Sequence, residues 1–524
     1  MKTKLFLFAL LMTCIFAQAQ TIEVSGNQTG VWDADTVLVV GDVMVPDSLV
    51  VMPGTLVLFD GYYGIEVRKD ATFKALGTET DSIVFTVADT TGFSDFGSEL
   101  GGWNGFQLNR ADHFILDYCV LEYGKSIDSL VYFGGAISIN ACEDVRIHHS
   151  TFHHNGAYKN GGAIFALDSQ VEMQTCSLHH NLVLWAVDNF NYGGAASFLK
   201  CDVEMSEMDF HANDGSTCIG GALSLDSCSV VLDRSAFVDN KGVNGGGLYL
   251  IRSNDYECKL SNLLFDDNFT AHFGGGFAVC NSSPEVSNVL VINNESWGVN
   301  CNGVFFYELC SPVFRNSIIY GNYPGPDNPV IDTVEMWMWT FEDTGPEFYN
   351  CLIEGGQRFI FQPEYIRAFE NIIETDPMFV DAENHDFHLA PGSPCIDAGD
   401  PNTPQYVLDG LDLDGNPREV DQRIDIGPYE FSIASVLKNA SVPFAKLIGN
   451  PLNAQSRIEF DEAVKGEVEL SVYAMTGVCV TQKSLRCEGV QSYALGEMAE
   501  GLPSGVYLIE LKNGNNVCVL KAVK

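Results

Sequence analysis

Gly134-Gly135-Ala136-Ile137-Ser138-Ile139-Asn140 opens a segment that closes on Ser150-Thr151-Phe152-His153-His154-Asn155, and the same unit then returns about every 28 residues. The Gly pairs stand at Gly134, Gly161, Gly193, Gly220, Gly245 and Gly274, with a degenerate seventh at Asn302-Gly303. The closing residues are Asn155, Asn181, Asn213, Asn240, Asn268, Asn294 and Asn322. Pair-to-Asn spacing is 20 or 21 in six units and 23 in the unit opening at Gly245, whereas Asn-to-next-pair spacing varies from 5 to 12. A fixed stretch followed by a variable one marks a rigid rung plus a loop that tolerates insertion, the pattern of a solenoid.

Within each unit apolar residues alternate in three short runs. Three and five residues after the first Gly lie Ile137/Ile139, Ile164/Ala166, Ala196/Phe198, Leu223/Leu225, Leu248/Leu250, Phe277/Val279 and Phe305/Tyr307. A second pair begins ten residues before the Asn, as in Val145/Ile147 and Val203/Met205. A third apolar residue stands three before it, from Phe152 to Ile319. Period-two alternation reads as half-buried strand. Three strands per turn, each stacked on its equivalent at about 4.8 Å, predict an all-β chain built as a right-handed parallel β-helix. The Gly pair suits a corner needing positive φ or room for a neighbouring backbone. The Asn suits another corner, its amide bonding to adjacent backbone or to the next Asn.

This region resembles the right-handed β-helix domains of secreted bacterial surface proteins, including the GGA-repeat passengers of polymorphic outer-membrane proteins. That resemblance speaks to fold and leaves activity open. Val39-Val40-Gly41-Asp42, Val51 to Leu56, Phe73 to Thr78, Ile83 to Thr86, Trp103 to Phe106 and Leu116 to Gly124 read as opening turns of the same kind. The helix is expected over 20–430. Its last part, about 374–430, contains Asp376-Pro377-Met378-Phe379, Ala390 to Asp400, Asp412 to Arg418 and Asp425 to Glu430. It resembles the closing segment of such proteins and is expected to cap the solenoid's open end, where strand edges would otherwise be unpaired.

Lys2 and Lys4, the apolar run Leu5 to Phe16 and Ala17-Gln18-Ala19 read as a signal peptide over 1–19, directing export to the periplasm. No later run is long and apolar enough for a membrane span. After a linker at 431–442, residues 443–524 drop the repeat and read as a small β-sandwich, with strands at Val468 to Tyr473 and Val506 to Leu511. Asn450-Pro451, Leu470 to Tyr473, Thr476-Gly477 and Leu502 to Leu508 occur in the order found in the sorting domain of type IX secretion substrates, which this segment resembles. The resemblance implies contact with the secretion machinery through 443–524, and a product released or held at the outer-membrane surface.

Acidic residues outnumber basic ones 69 to 28, for a net charge of −41. This balance argues against nucleic acid and anionic lipid as principal partners, since both require basic surface. The 16 cysteines include no CxxC, which argues against thiolate metal clusters. Cys142, Ser169, Cys201, Cys228, Ser253, Ser282 and Cys310 share one position, so it wants a small side chain at a turn. Cys201 and Cys228 fall on adjacent rungs, within reach of one another.

Four constellations could carry chemistry. His153, His179 and His211 repeat two residues before the Asn on three consecutive rungs, beside His154 and His180. Such a column suits zinc or copper, or titration near neutral pH. Asp409, Asp412, Asp414 and Asn416 have the oxygen-rich loop spacing calcium prefers, making calcium the expected cofactor, with turn chemistry the alternative. Trp337, Trp339 and Phe341 alternate, so an extended segment places all three on one face for stacking on sugar rings or for burial. Asp266-Asp267 and Asp239 make a paired-carboxylate site conceivable. Gly-His-Gly and Arg-Ile-Lys, the motifs of pectin-cleaving β-helices, are absent, and Arg234, Arg252 and Lys259 form no column. The sequence therefore favours an adhesin-like module binding polysaccharide or host matrix, with a polysaccharide lyase or glycoside hydrolase as the competing reading.

Overall fold

The computed structural model describes residues 20–127, 134–184, 191–297, 301–324, 335–340, 344–418, 423–431, 445–474, 479–503, 505–513 and 516–524. The expected leader at 1–19, nearly all of the linker, Phe341 and Thr476-Gly477 lie outside them. The chain is a parallel β-solenoid followed by antiparallel C-terminal strands consistent with a small β-sandwich.

Three parallel ladders run the length of the solenoid. The first includes Ile137–Asn140, Ile164–Leu167, Ala196–Leu199 and Leu223–Asp226. The second includes Val145–His148, Gln170–Gln174 and Asp202–Ser206. The third includes Thr151–His153, Ser177–His179 and Asp209–His211. Upstream, Thr36–Val45, Ser48–Val51, Thr72–Leu76 and Ile83–Val87 begin the same ladders, so the opening turns lie where their alternation placed them. The last strands of the stack are Ile360–Phe361 and Ala368–Glu370. A short fourth strand follows the Asn in several turns, as at Gly156–Ala157, Lys241–Asn244 and Phe269–Phe273. These pieces are too brief to leave an alternation pattern.

The inward residues form one elongated core, from Val24 and Trp32 to Phe348 and Ile353. The expected inward pairs are buried in six units, but the seventh is shifted by one. Val304 and Phe306, not Phe305 and Tyr307, continue the inward column, because Gly303 aligns with Gly276 rather than with Gly275. A slip of one residue turns every side chain of a strand to the other face.

Each closing Asn is buried, and its side chain links three turns. Asn213 Oδ1 accepts from the amide N–H and Nδ2 of Asn181, both at 3.1 Å, while its Nδ2 donates to Leu178 O at 2.8 Å and to Asn240 Oδ1 at 2.9 Å. The ladder ends at Asn322, whose Nδ2 donates to the buried carboxyl of Glu335 at 2.6 Å. Burial pushes that carboxyl well above its ordinary value. The Gly pairs are required by backbone proximity: a Cβ on Gly221 would lie 1.9 Å from Gly246 O.

The Cys/Ser column has a similar logic. Cys142 N–H donates to Ser169 Oγ, Cys228 N–H to Ser253 Oγ, and Cys201 N–H to Cys228 Sγ at 3.4 Å. The position needs a small side chain with a lone pair, which explains why Ser and Cys alternate freely. The described cysteines of the solenoid and strap are buried free thiols, Cys201 and Cys228 included.

Where a cap over the open end was expected, the described residues of 374–431 lie along the flank. Outward side chains of the third ladder, Leu264, Leu290, Ile318 and Leu352, pack with Phe387, Leu389, Cys395 and Ile426 of this strap. A second asparagine column fastens it. Asn262, Asn288, Asn316 and Asn350 all have positive φ at the corner before the third ladder. Asn288 donates to Asp425 O and Gly427 O, Asn316 to Thr403 Oγ1, and Asn350 to Ala398 O. Arg418, fully buried, reaches Asn262 Oδ1, the carbonyls of Gly427 and Pro428, and Glu430 at 2.9 Å. An edge of this kind is covered because buried polar groups must be paired.

At the C-terminus, Arg457–Ala474 pairs antiparallel with Cys479–Ala494 and with Val506–Asn513, and the latter pairs with Asn516–Val523. Both expected strands are present and face each other, with Leu470 opposite Leu511. Ile458, Val468, Leu470, Ile509 and Leu511 lie in a core of their own.

Candidate functional site

The histidines form two parallel columns. The strand register stacks His153, His179 and His211, with ring centroids 5.0 and 4.6 Å apart and planes within 14°. His154 and His180 hold positive φ at the corner, stack on one another at 5.3 Å and stand edge-on to the first column. At two successive turns an Nδ1 meets an Nδ1, at 2.9 Å for His153 and His154 and 3.0 Å for His179 and His180. His179, His180 and His211 each offer a ring nitrogen within 4.8 Å of the others. Two carboxylates support the columns: Glu122 lies 3.4 Å from His153 Nε2 and Asp209 lies 2.8 Å from His211 Nδ1. Burial, joined by repulsion from His211, His153 and His180, lowers His179 to about 4. His153 and His154 are also lowered, chiefly by burial.

Trp337 and Trp339 share the outer face of Met336–Thr340, while Met336 and Met338 point into the core. They continue a rail of outward rings on the first ladder. Phe305, Trp337 and Phe361 are in register, as are Tyr307 and Trp339. Trp337 stacks on Phe361 at 3.9 Å, Phe305 on Phe273 at 4.5 Å, and Trp339 meets Tyr307 edge-on at 5.8 Å. The inner end of the rail is buried with Ile219, Tyr249 and Ala278, whereas Trp339 is 54% and Phe361 40% exposed. Phe361 and Tyr307 went unrecognised in the sequence because only the register sets them beside the tryptophans.

Asp409, Asp412, Asp414 and Asn416 are neighbours in the chain, and each makes contacts of its own. Asp412, buried, accepts from Asn416 N–H at 2.6 Å, from Asn416 Nδ2 at 3.1 Å and from Glu430 N–H at 2.9 Å. Asp414 faces His388 Nε2 at 2.7 Å, and Asp409 accepts from Gln405 Nε2 at 2.8 Å. These contacts place the four residues in a turn and against the strap.

Asp266 is also drawn to the strap. Its carboxylate accepts from Asn293 Nδ2 at 2.8 Å and lies 2.6 Å from His385 Nδ1, and Asp267 lies 3.7 Å from His385 Nε2. Burial raises both carboxyls, while Asp266 raises His385. His385 is 119 residues from Asp266 in the chain, and nothing in the repeat connects them. Arg234, Arg252 and Lys259 are each paired with acids, Glu207 and Asp233, Asp226, and Glu257 respectively.

Residues 447–524 match the family described as the secretion system C-terminal sorting domain. With the fold, this defines a type IX-exported β-solenoid protein. Such a tail implies export and a secreted or cell-surface location, and handling by the type IX machinery. A comparison with curated proteins found no match. Among the described residues, no helix is long and apolar enough to cross a membrane.

Proposed function

We propose that this protein is a glycan-binding module acting at the cell surface or after release. The observation that carries the reading is the exposed end of the aromatic rail, where Trp339, Phe361, Trp337 and Tyr307 are held on successive rungs of a rigid sheet. Flat aromatic faces set by backbone register need no ordering before a sugar stacks on them, which lowers the entropic cost of binding. The strongly acidic surface favours neutral polysaccharides over polyuronates.

The test is a polysaccharide panel measured by calorimetry and by reducing-end release. Saturable binding to a neutral polymer is expected, with Trp339→Ala weakening it about tenfold, or ~1.4 kcal/mol, at unchanged melting temperature. Binding that survives Trp339→Ala and Phe361→Ala together removes the proposal. Release of new reducing ends would replace it with the hydrolase reading and direct attention to Asp266 and Asp267.

A further inference from the structure

We propose that the two histidine columns form a binding site for a divalent transition metal, with copper(II) favoured and with His179, His180 and His211 as its ligands. This is independent of the glycan reading, because the columns lie on the third ladder and its corner, whereas the aromatic rail lies on the first.

The geometry begins with the corner. Immediately before each closing Asn the chain takes positive φ, at His154 and His180. That twist turns the second column's rings edge-on to the first, so the two imidazoles of a turn point nitrogen at nitrogen rather than lying side by side. The 3.0 Å separation of His179 Nδ1 and His180 Nδ1 is the span of two nitrogens on one metal with bonds of about 2.0–2.1 Å and an angle of roughly 90°. A tetrahedral ion would open the pair to about 3.3 Å on the same bond lengths. Copper(II) heads the affinity order for nitrogen sites, which is the ground for favouring it over nickel(II) and zinc.

The next rung supplies a third donor. The site's ring nitrogens lie within 4.8 Å of one another, close enough for rotation about χ angles to converge them. Asp209 engages His211 Nδ1 at 2.8 Å, so metal binding through Nε2 would keep that contact. Asp209 is itself held by Ser177 Oγ at 3.1 Å. A carboxylate behind a ligating imidazole fixes ring orientation and raises ligand basicity. Glu122 stands in the same relation to His153, whose Nδ1 meets His154 Nδ1. Three donors from two rungs leave a further position for water or an exogenous ligand. The run ends where His211 is followed in register by Val238, so the columns make a bounded site of adjacent turns.

The experiment uses the full chain without its leader, stripped with EDTA and titrated with copper(II), nickel(II) and zinc(II) by calorimetry. Electron paramagnetic resonance of the copper form is recorded alongside. Saturable uptake is expected, with copper(II) bound most tightly and its spectrum axial, carrying hyperfine structure from several nitrogens. The double variant His179→Gln/His180→Gln should weaken copper binding at least about a hundredfold and lose the multi-nitrogen pattern. His385→Gln and His388→Gln, remote on the strap, should leave both unchanged. Melting curves check that each variant is folded. Absence of saturable uptake overturns the proposal, and so does uptake with the same affinity and spectrum in His179→Gln/His180→Gln.

Discussion

Replacing Asn213 by Ala tests the structural account most directly. Its side chain is 1% exposed and makes four hydrogen bonds spanning three turns. Truncation strands the Asn181 amide N–H outright and removes one partner each from Asn181 Nδ2, Leu178 O and Asn240 Oδ1. A stranded buried donor costs about 1–3 kcal/mol. The partial losses and the small cavity bring the total to about 3–5 kcal/mol, in the upper tail for single substitutions. Because a solenoid couples mainly neighbouring turns, the loss should be local. Amide exchange in peptides covering 177–184 and 209–215 should accelerate by roughly two to four orders of magnitude, as ~1.4 kcal/mol is tenfold. Asn213→Asp preserves shape but turns a carboxylate oxygen toward two carbonyl oxygens, and should be at least as damaging. Asp202→Asn, exposed on a nearby strand, should change exchange little. Acceleration below tenfold in Asn213→Ala would show that the ladder bonds are worth no more than bonds to water, and the reasoning would fail.

Other consequences are equally measurable. Cys228→Ser should leave the urea midpoint nearly unchanged, whereas Cys228→Ala, which strands the Cys201 N–H, should cost about 1–3 kcal/mol. The strap should loosen as pH rises. His385 is raised above 6.5 by Asp266, so its stabilising contribution is complete below that value and is lost as pH climbs through its higher folded-state value. The burial-raised Asp266 acts in the same direction. Exchange at the Ala390 amide, which donates to Met378 O, should therefore quicken from pH 6 to pH 8.5 relative to a solenoid reference. His385→Gln should abolish that difference, and an unchanged pH dependence in the variant would reject the latch. EGTA should leave the melting temperature unaltered, since Asp412 is satisfied by Asn416 and Glu430; a fall of several degrees would restore a calcium site in the loop.

How much could be read beforehand follows from what each feature costs to change. The Gly and Asn corners were legible because backbone at 1.9 Å from a would-be Cβ, or a four-bond side chain in the core, admits almost no substitute. The register at Phe305 was misread because the unit beginning at Cys301 keeps only one glycine, and one glycine does not fix which of two alignments holds. The second asparagine column, from Asn262 to Asn350, recurs at intervals close to the repeat, yet its role depends on a strap with no periodicity of its own. The Nδ1-to-Nδ1 contacts were hidden for another reason. A sequence column gives stacking at rung spacing, but only the positive φ at His154 and His180 turns adjacent histidines edge to edge.

The outward faces of the two flanking ladders make an instructive contrast. Both carry apolar side chains that water would penalise, at about 25 cal/mol per Å² exposed. Past the histidine rungs, outward aliphatic residues of the third ladder lie under the strap; Leu290, Ile318 and Leu352 are fully buried beneath it. On the first ladder the outward residues become aromatic toward its end, and they cover one another until Trp339 and Phe361 stand at the margin. A contiguous aliphatic patch left open to solvent would be a site of association or aggregation. Stacked rings in register cover one another, and the proposed glycan reading rests on the two left partly exposed, Trp339 and Phe361. Side-chain type on each face thus tracks what covers it, a strap of chain over aliphatic residues on one and neighbouring rings on the other.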